Sequence, residues 1–425
     1  MTRSTSGRRA KIRVGLFGIL GSGNLGNDGS LEAVVNFLRR LDNDVELRFF
    51  CMGPDEVRAR YGAPAESLQW YEPHAGEASG LHAVALKVIG KLLDPFRTLA
   101  WVRHNDVVIV PGMGVLEATL PLRPWAFPYS LFWLGVTARL TRTRVALVSV
   151  GCNVVRARAT RWFITRAARL ADYRSFRDDL SRNSMHEMGV DVRADHVYPD
   201  LAFALPNPPR MEPTGTVGVG VMAYRGSNDD RSEADELHRR YLDTMIEFVH
   251  WLLDGGRKVR LYMTDQEDQP ILHELLTDVR AQRADDSDIN AERVSTLPGL
   301  MHRMAAVDTV VGSRYHNVLC ALKLSKPTLS VGYAAKHEVL MQDMGLGDFC
   351  EPARSVNLDR LIAKFENLER DRESLIARLD ERNAVKTQLL EEQFAALSRV
   401  MVPTLHQTVK AGANASSHPN DDPRT

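Results

Sequence analysis

Apolar and polar positions along the chain repeat with two periods. Ile12–Phe17 (IRVGLF) is an apolar run of strand length, and in Ser30–Arg40 the residues Leu31, Val34, Val35 and Leu38 fall at helical spacing. Strand-like runs recur at 45–53, 106–110, 144–152, 172–176 and 194–205, and 125–138 (WAFPYSLFWLGVTA) reads as a buried helix between two of them. Such alternation predicts a mostly parallel sheet with helices on both faces.

The stretch 205–215 (LPNPPRMEPTG) carries four prolines and interrupts the pattern as a linker would. A second series then begins. TVGVGVMAYRG is a strand, ADELHRRYLDTMIEFVHWLLDGG an amphipathic helix closed by glycines, and RKVRLYMTD another strand. A helix and two more strands follow, ending in KPTLSVGYA, and 357–400 has a long charged helical period. The reading is therefore an α/β protein of two Rossmann-like domains with mostly parallel sheets facing a cleft, plus C-terminal helices. Its parts are a basic arm (1–11), a first domain (12–205), a linker (206–215), a second domain (216–355), helices (356–405) and a disordered tail (406–425).

Composition changes this picture little. Lys+Arg and Asp+Glu balance at 54 each, so nothing global points to nucleic acid. The four cysteines, Cys51, Cys152, Cys320 and Cys350, are far apart in apolar surroundings. They predict buried thiols, a reducing compartment and no metal site. The opening MTRSTSGRRAK is followed by no secretory apolar segment, and 125–138 is too short to span a bilayer.

Two stretches carry candidate chemistry. Gly21-Ser-Gly23-Asn-Leu-Gly26 is a literal G-x-G-x-x-G between a strand and a helix. The acidic residue a dinucleotide site needs at the end of the second strand is missing, since that end offers Phe50, Cys51 and Met52. A tight turn exposing backbone N–H groups is the plainer reading, with Asp28 either a helix cap or a ligand contact. The second stretch is Gly312-Ser313-Arg314-Tyr315-His316, where a strand ends and a helix begins. A guanidinium there suits a carboxylate or phosphate, and an imidazole beside it suits proton transfer. On its own an R-x-H favours a structural reading, with Arg314 paired to a carboxylate and His316 capping the helix.

This R-x-H has company. Ser313-Arg314-Tyr315-His316, Ala321, Lys326-Pro327, Tyr333, Lys336 and Gly345-Leu346 together resemble the polysaccharide pyruvyl transferase family. Further resemblances stand in order: the N-terminal loop GLFGILGSGNLGNDGSL, VIVPGMGVL, the R-D-x-x-S of Arg177, Asp178 and Ser181, Asp200 in YPDLAFAL, and a strand leading to Arg225. Asn27-Asp28-Gly29 stands where the family has G-D-E, and the third-strand glycine run is Pro111-Gly112-Met113-Gly114.

The resemblance implies a GT-B-like fold and transfer of the enolpyruvyl group of phosphoenolpyruvate to a sugar as a cyclic ketal. Arg314 and Arg225 would hold the donor's carboxylate and phosphate, with Lys336 as a third cation and Ser313 and Tyr333 on the substrate side. His316 would be the general acid. Asn24, Asp28 and the loop at Gly23 and Gly26 would lie in the first domain and face the acceptor or the donor's far side. Phosphoenolpyruvate serves as substrate; no cofactor and no metal are implied. The partner is a sugar acceptor, with lipid linkage and peripheral membrane contact left open, at a cytoplasmic location or the membrane's inner face. The oligomeric state is not given. Two other readings stay open: a nucleotide-sugar glycosyltransferase of the same architecture, and a non-catalytic sugar-binding relative.

Overall fold

The computed structural model describes residues 11–41, 45–71, 80–117, 124–226, 230, 232–283 and 287–401. The basic arm (Lys11 apart) and the tail expected over 406–425 lie outside the described residues. The chain forms two compact units. The first comprises residues up to Gly21, Val34–Tyr198 and Glu391 onward; the second comprises Ser22–Ala33 and Pro199–Leu390.

The first unit is built on seven parallel strands: β1 (Ile12–Gly18), β2 (Val45–Cys51), β3 (Ala65–Ser67), β4 (Val107–Pro111), β5 (Arg144–Val150), β6 (Tyr173–Phe176) and β7 (His196–Val197). Their order is β3-β2-β1-β4-β5-β6-β7. Every residue of β4 is buried. Both faces of a parallel sheet are covered by crossover helices, so its central strands read as continuous apolar runs.

The second unit repeats the plan with β8 (Thr216–Gly220), β9 (Lys258–Met263), β10 (Ile289–Arg293), β11 (Thr309–Gly312), β12 (Thr328–Gly332) and β13 (Cys350–Pro352). The order is β10-β9-β8-β11-β12-β13, again parallel throughout. In each sheet the winding reverses once, between β1 and β4 and between β8 and β11. At such a reversal neighbouring loops leave in opposite directions and open a crevice at the strands' carboxyl ends.

Several elements differ from the sequence pattern. The first helix begins at Leu25, so the glycine-rich stretch is partly helical. The run at 194–205 yields only the two-residue β7. Beyond it the Asp200 carboxylate accepts from the Ala202 N–H (3.0 Å) and winds Leu201–Ala204 into a 3-10 turn. The change of unit falls between Tyr198 and Pro199, ahead of the proline-rich stretch, which lies inside the second unit.

The C-terminal helices are Leu358–Arg370 and the 30-residue Arg372–Met401. The latter's last residues pack in the first unit. Buried Gln393 donates to the Ser149 and Ser175 hydroxyls (2.7 and 2.9 Å), and Phe394 stacks on Phe37 at 4.5 Å. All four thiols are free; Cys51, Cys152 and Cys320 are buried, whereas Cys350 is partly exposed, against expectation. Burial pushes the Cys320 thiol up to about 12 and the Cys350 thiol to about 11, so neither is a thiolate near neutral pH.

Replacing Gln393 by Ala removes its hydrogen bonds with Ser149 and Ser175 from a fully buried position. We expect a loss of about 1–3 kcal/mol, measured by chemical denaturation of the full chain.

Candidate active site

The candidate site is built where β8, β9, β11 and β12 end. Gly220 closes β8, and a Cβ there would overlap the Asn317 side-chain amide, so glycine lets the helix after β11 approach. Ser313 follows β11. Its N–H donates to the Gly220 carbonyl (3.0 Å), and its hydroxyl lies 2.7 Å from that of Tyr241. Both residues are fully buried, and burial pushes the Tyr241 phenol up to about 12. Ser313 therefore fastens two strand ends together and does not present its hydroxyl to a ligand, a correction to the expected substrate-side role.

Arg314 comes next and starts the Tyr315–Lys323 helix. Its Nε donates to Asp268 Oδ2 (2.9 Å) and its Nη2 to Oδ1 (2.5 Å). Burial works against the guanidinium's charge, but the bonds to Asp268 override it and hold the pKa above the ordinary arginine value. Asp268 has no exposed surface, and its Oδ1 also accepts from the Ala223 N–H (2.8 Å). Asp268 lies beyond the end of β9, and Ala223 lies in the loop that leads from β8 to Arg225. One carboxylate thus ties the loops bearing both candidate donor-binding arginines. Arg225 itself is exposed and pairs with Asp235 at 2.5 Å.

An aromatic and basic cluster gathers around Tyr315, the residue after Arg314. Lys336 Nζ lies 5.5 Å from the Tyr315 ring centre and 5.8 Å from that of Tyr333. His337 is fully buried, with Tyr333 and Tyr315 edge-on at 4.7 and 5.8 Å. Burial first, and the Lys336 charge second, lower the His337 pKa to about 3. His316 stands edge-on to Tyr315 at 5.3 Å. A Cβ on Gly26 would overlap the His316 ring, and one on Gly29 would overlap Leu297.

That contact corrects the expected placement of the N-terminal loop. Ser22–Ala33 groups with the second unit, and Gly26 sits against the very histidine it was expected to face from another domain. Gly21 and Gly23 take left-handed φ values of 66° and 78°, which turn the chain into the helix. The Asn24 side chain accepts from the Asn27 N–H (3.2 Å) and caps the helix, while Asp28 lies inside its first turn and is not the cap.

Residues 24–334 of the 425 match the family model for polysaccharide pyruvyl transferase. The chain belongs to that family. No curated protein matches the chain significantly. Among solved structures, the UDP-GlcNAc 2-epimerase of Methanocaldococcus jannaschii is similar with TM-score 0.56 and 11% identity, over 84% of this chain and 92% of that one. Anabaena HepE, solved with UDP and glucose, gives 0.56 at 10% identity over 92% and 99%. The lipopolysaccharide outer core galactosyltransferase WaaB gives 0.51 at 10% identity over 91% and 99%. At such identities the likeness concerns the fold, two parallel-sheet domains of GT-B type.

Other residues that carried the resemblance to the pyruvyl transferases turn out to be structural. Arg177 forms a buried ion pair with Glu117. Asp178 caps the Asp179–Glu187 helix by accepting from the Ser181 N–H (2.6 Å), and the Ser181 hydroxyl accepts from the Cys152 N–H (3.0 Å). Among the described residues no group of three or more His, Cys, Asp or Glu could hold a metal ion. Asp268 and Tyr241 were missed by sequence reasoning. For Asp268 a signal existed, an acidic residue just past a strand end on the same sheet edge as Arg314.

Two outcomes follow from the buried groups. Arg314→Ala leaves the Asp268 carboxylate buried without its counter-charge and should cost about 3–5 kcal/mol. Adding Asp268→Asn should recover part of that loss, read by denaturation across the double-mutant cycle. Because the His337 pKa falls from 6.5 to about 3 on folding, the unfolded chain binds a proton between these values that the folded chain refuses. Its contribution to stability is therefore lost as pH falls from about 6.5 toward 3. His337→Gln should lessen the slope of stability against pH in urea titrations over that window.

Proposed function

We propose that the chain transfers the enolpyruvyl group of phosphoenolpyruvate to two hydroxyls of one sugar, as a cyclic pyruvate ketal. The observation that carries this reading is the pairing of Arg314 and the Arg225 loop through Asp268 at the reversal of the second sheet. The donor bears a carboxylate and a phosphate, and a charge-complementary site needs at least two cations. Arg314 spends Nε and Nη2 on Asp268, which fixes the plane of the guanidinium and leaves its Nη1 edge for an anion. Arg225 and Lys336 supply further positive charge, with Arg225 leaving Asp235 to take part.

His316 protonates the methylene carbon of the donor. The carbon bearing the phosphate ester becomes oxocarbenium-like, and one sugar hydroxyl adds to it, losing its proton. The bond from that carbon to the phosphate oxygen then breaks, inorganic phosphate departs against the arginines, and the second hydroxyl closes the ketal as its proton passes to the departing phosphate. The products are the ketal and inorganic phosphate. Gly26 leaves the space that the His316 ring occupies, so the N-terminal helix sets where the proton is delivered. Cytoplasmic location and a cell-surface polysaccharide or glycolipid acceptor belong to the same reading.

The test is to incubate the chain with phosphoenolpyruvate and a panel of glycosides, measuring phosphate release and the mass of the acceptor, with UDP-sugars as the alternative donors. Transfer from a UDP-sugar alone would overturn the reading. His316→Ala should fold and bind phosphoenolpyruvate yet lose turnover by about 10²–10⁴-fold, and His316→Gln should be nearly as inactive. Turnover per folded molecule, taken with the melting temperature, checks this; an active but destabilised variant would remove His316 from the chemistry.

A further inference from the structure

In the first unit, the helix Gly80–Val102 connects β3 to β4. A crossover helix ordinarily buries one apolar face and shows polar residues to water. This one buries Trp101, Val102 and Thr98, yet Val84, Val88, Leu92 and Phe96 are 57, 56, 67 and 71% exposed. At i,i+4 spacing they form one continuous stripe, widened by exposed Ile89 and Leu93. A contiguous apolar surface of this kind marks a contact with a partner or a membrane.

The next two crossover helices, Phe127–Thr141 and Arg158–Leu170, extend the same surface. Tyr129 donates to the Lys91 carbonyl (2.7 Å), Trp125 meets Phe163 at 5.7 Å, and Phe132 meets Trp162 at 5.1 Å. Trp125 and Trp162 end this ladder exposed, and the Arg166 guanidinium lies 5.8 Å from the Trp162 ring centre. The sequence from Ala118 to Ala171 contains nine arginines and no lysine, aspartate or glutamate. Of these, Arg139, Arg142, Arg156, Arg158, Arg161, Arg166 and Arg169 are exposed, and Arg139 pairs with Asp172 at 3.5 Å.

We propose that this face of the first unit docks on a membrane surface bearing anionic lipids. Exposed aliphatic side chains would enter the headgroup boundary, tryptophans would sit at the interface, and the exposed arginines would meet lipid phosphates. A nucleic acid would satisfy the arginines and leave the stripe in water. A second copy of the chain would cover the stripe and set arginines against arginines. Among the described residues no helix is long and apolar enough to cross a membrane, so the helix would lie on the bilayer. The proposal is independent of the assignment of the donor.

The experiment is flotation of the full chain with vesicles of phosphatidylcholine alone and of phosphatidylcholine mixed with phosphatidylglycerol. We expect binding to the mixed vesicles that weakens with salt, and a blue shift of tryptophan emission on binding. Leu92→Asp with Phe96→Asp should abolish it with the melting temperature unchanged, because both side chains already face water. Arg161→Glu with Arg166→Glu should weaken it by at least roughly fivefold per arginine. Any of four results would overturn the proposal: no binding to the mixed vesicles, equal binding to phosphatidylcholine, full binding by the Leu92/Phe96 variant, or a dimer that this variant disperses. Tighter binding to an RNA duplex than to the vesicles, unchanged in that variant, would overturn it as well.

Discussion

A carboxylate with no access to water must be neutralised by the protein around it, and the second unit is arranged to do this for Asp268. Two of its bonds come from Arg314 and one from the backbone at Ala223. Those donors sit on the loops after β11 and β8, the two strands between which the sheet reverses its winding. The pair therefore does more than bring opposite charges together. It sets the angle of a guanidinium, anchors the start of a helix and holds a neighbouring loop in place, all through one buried side chain.

Much of the fold around this pair was legible in the chain, though Asp268 itself was missed. The apolar runs at 106–110 and 144–152 announced buried parallel strands because both faces of such a sheet are covered. The junction at Gly312–His316 was visible because a strand pattern turns there into a helical one. What the sequence pattern missed has physical causes too. The run at 194–205 looks like a strand, but the Asp200 side chain offers its backbone a competing hydrogen bond and bends it. The grouping of Ser22–Ala33 with the second unit depends on contacts with residues such as Leu297 and His316, distant in sequence, and local periodicity carries no trace of them.

The two units also show how the same topology serves different ends. In the first, Arg177, Asp178 and Ser181 at the ends of strands are consumed by an ion pair, a cap and a backbone contact. In the second, the equivalent edge gathers Arg314, His316, Tyr333 and Lys336. Motif residues at strand ends are thus of two kinds, those that build the edge and those the edge presents, and only burial and bonding separate them.

Gly26 lends itself to a final consequence. In a list of motifs it is the third glycine of a nucleotide fingerprint, valued for the freedom of its backbone. In the fold it sits inside a helix, where that freedom is unused and even costs stability. What it supplies is a missing volume that the ring of His316 fills. Two positions far apart in the chain therefore share one allotment of space, and a side chain gained at the first must be given up, or moved aside, at the second.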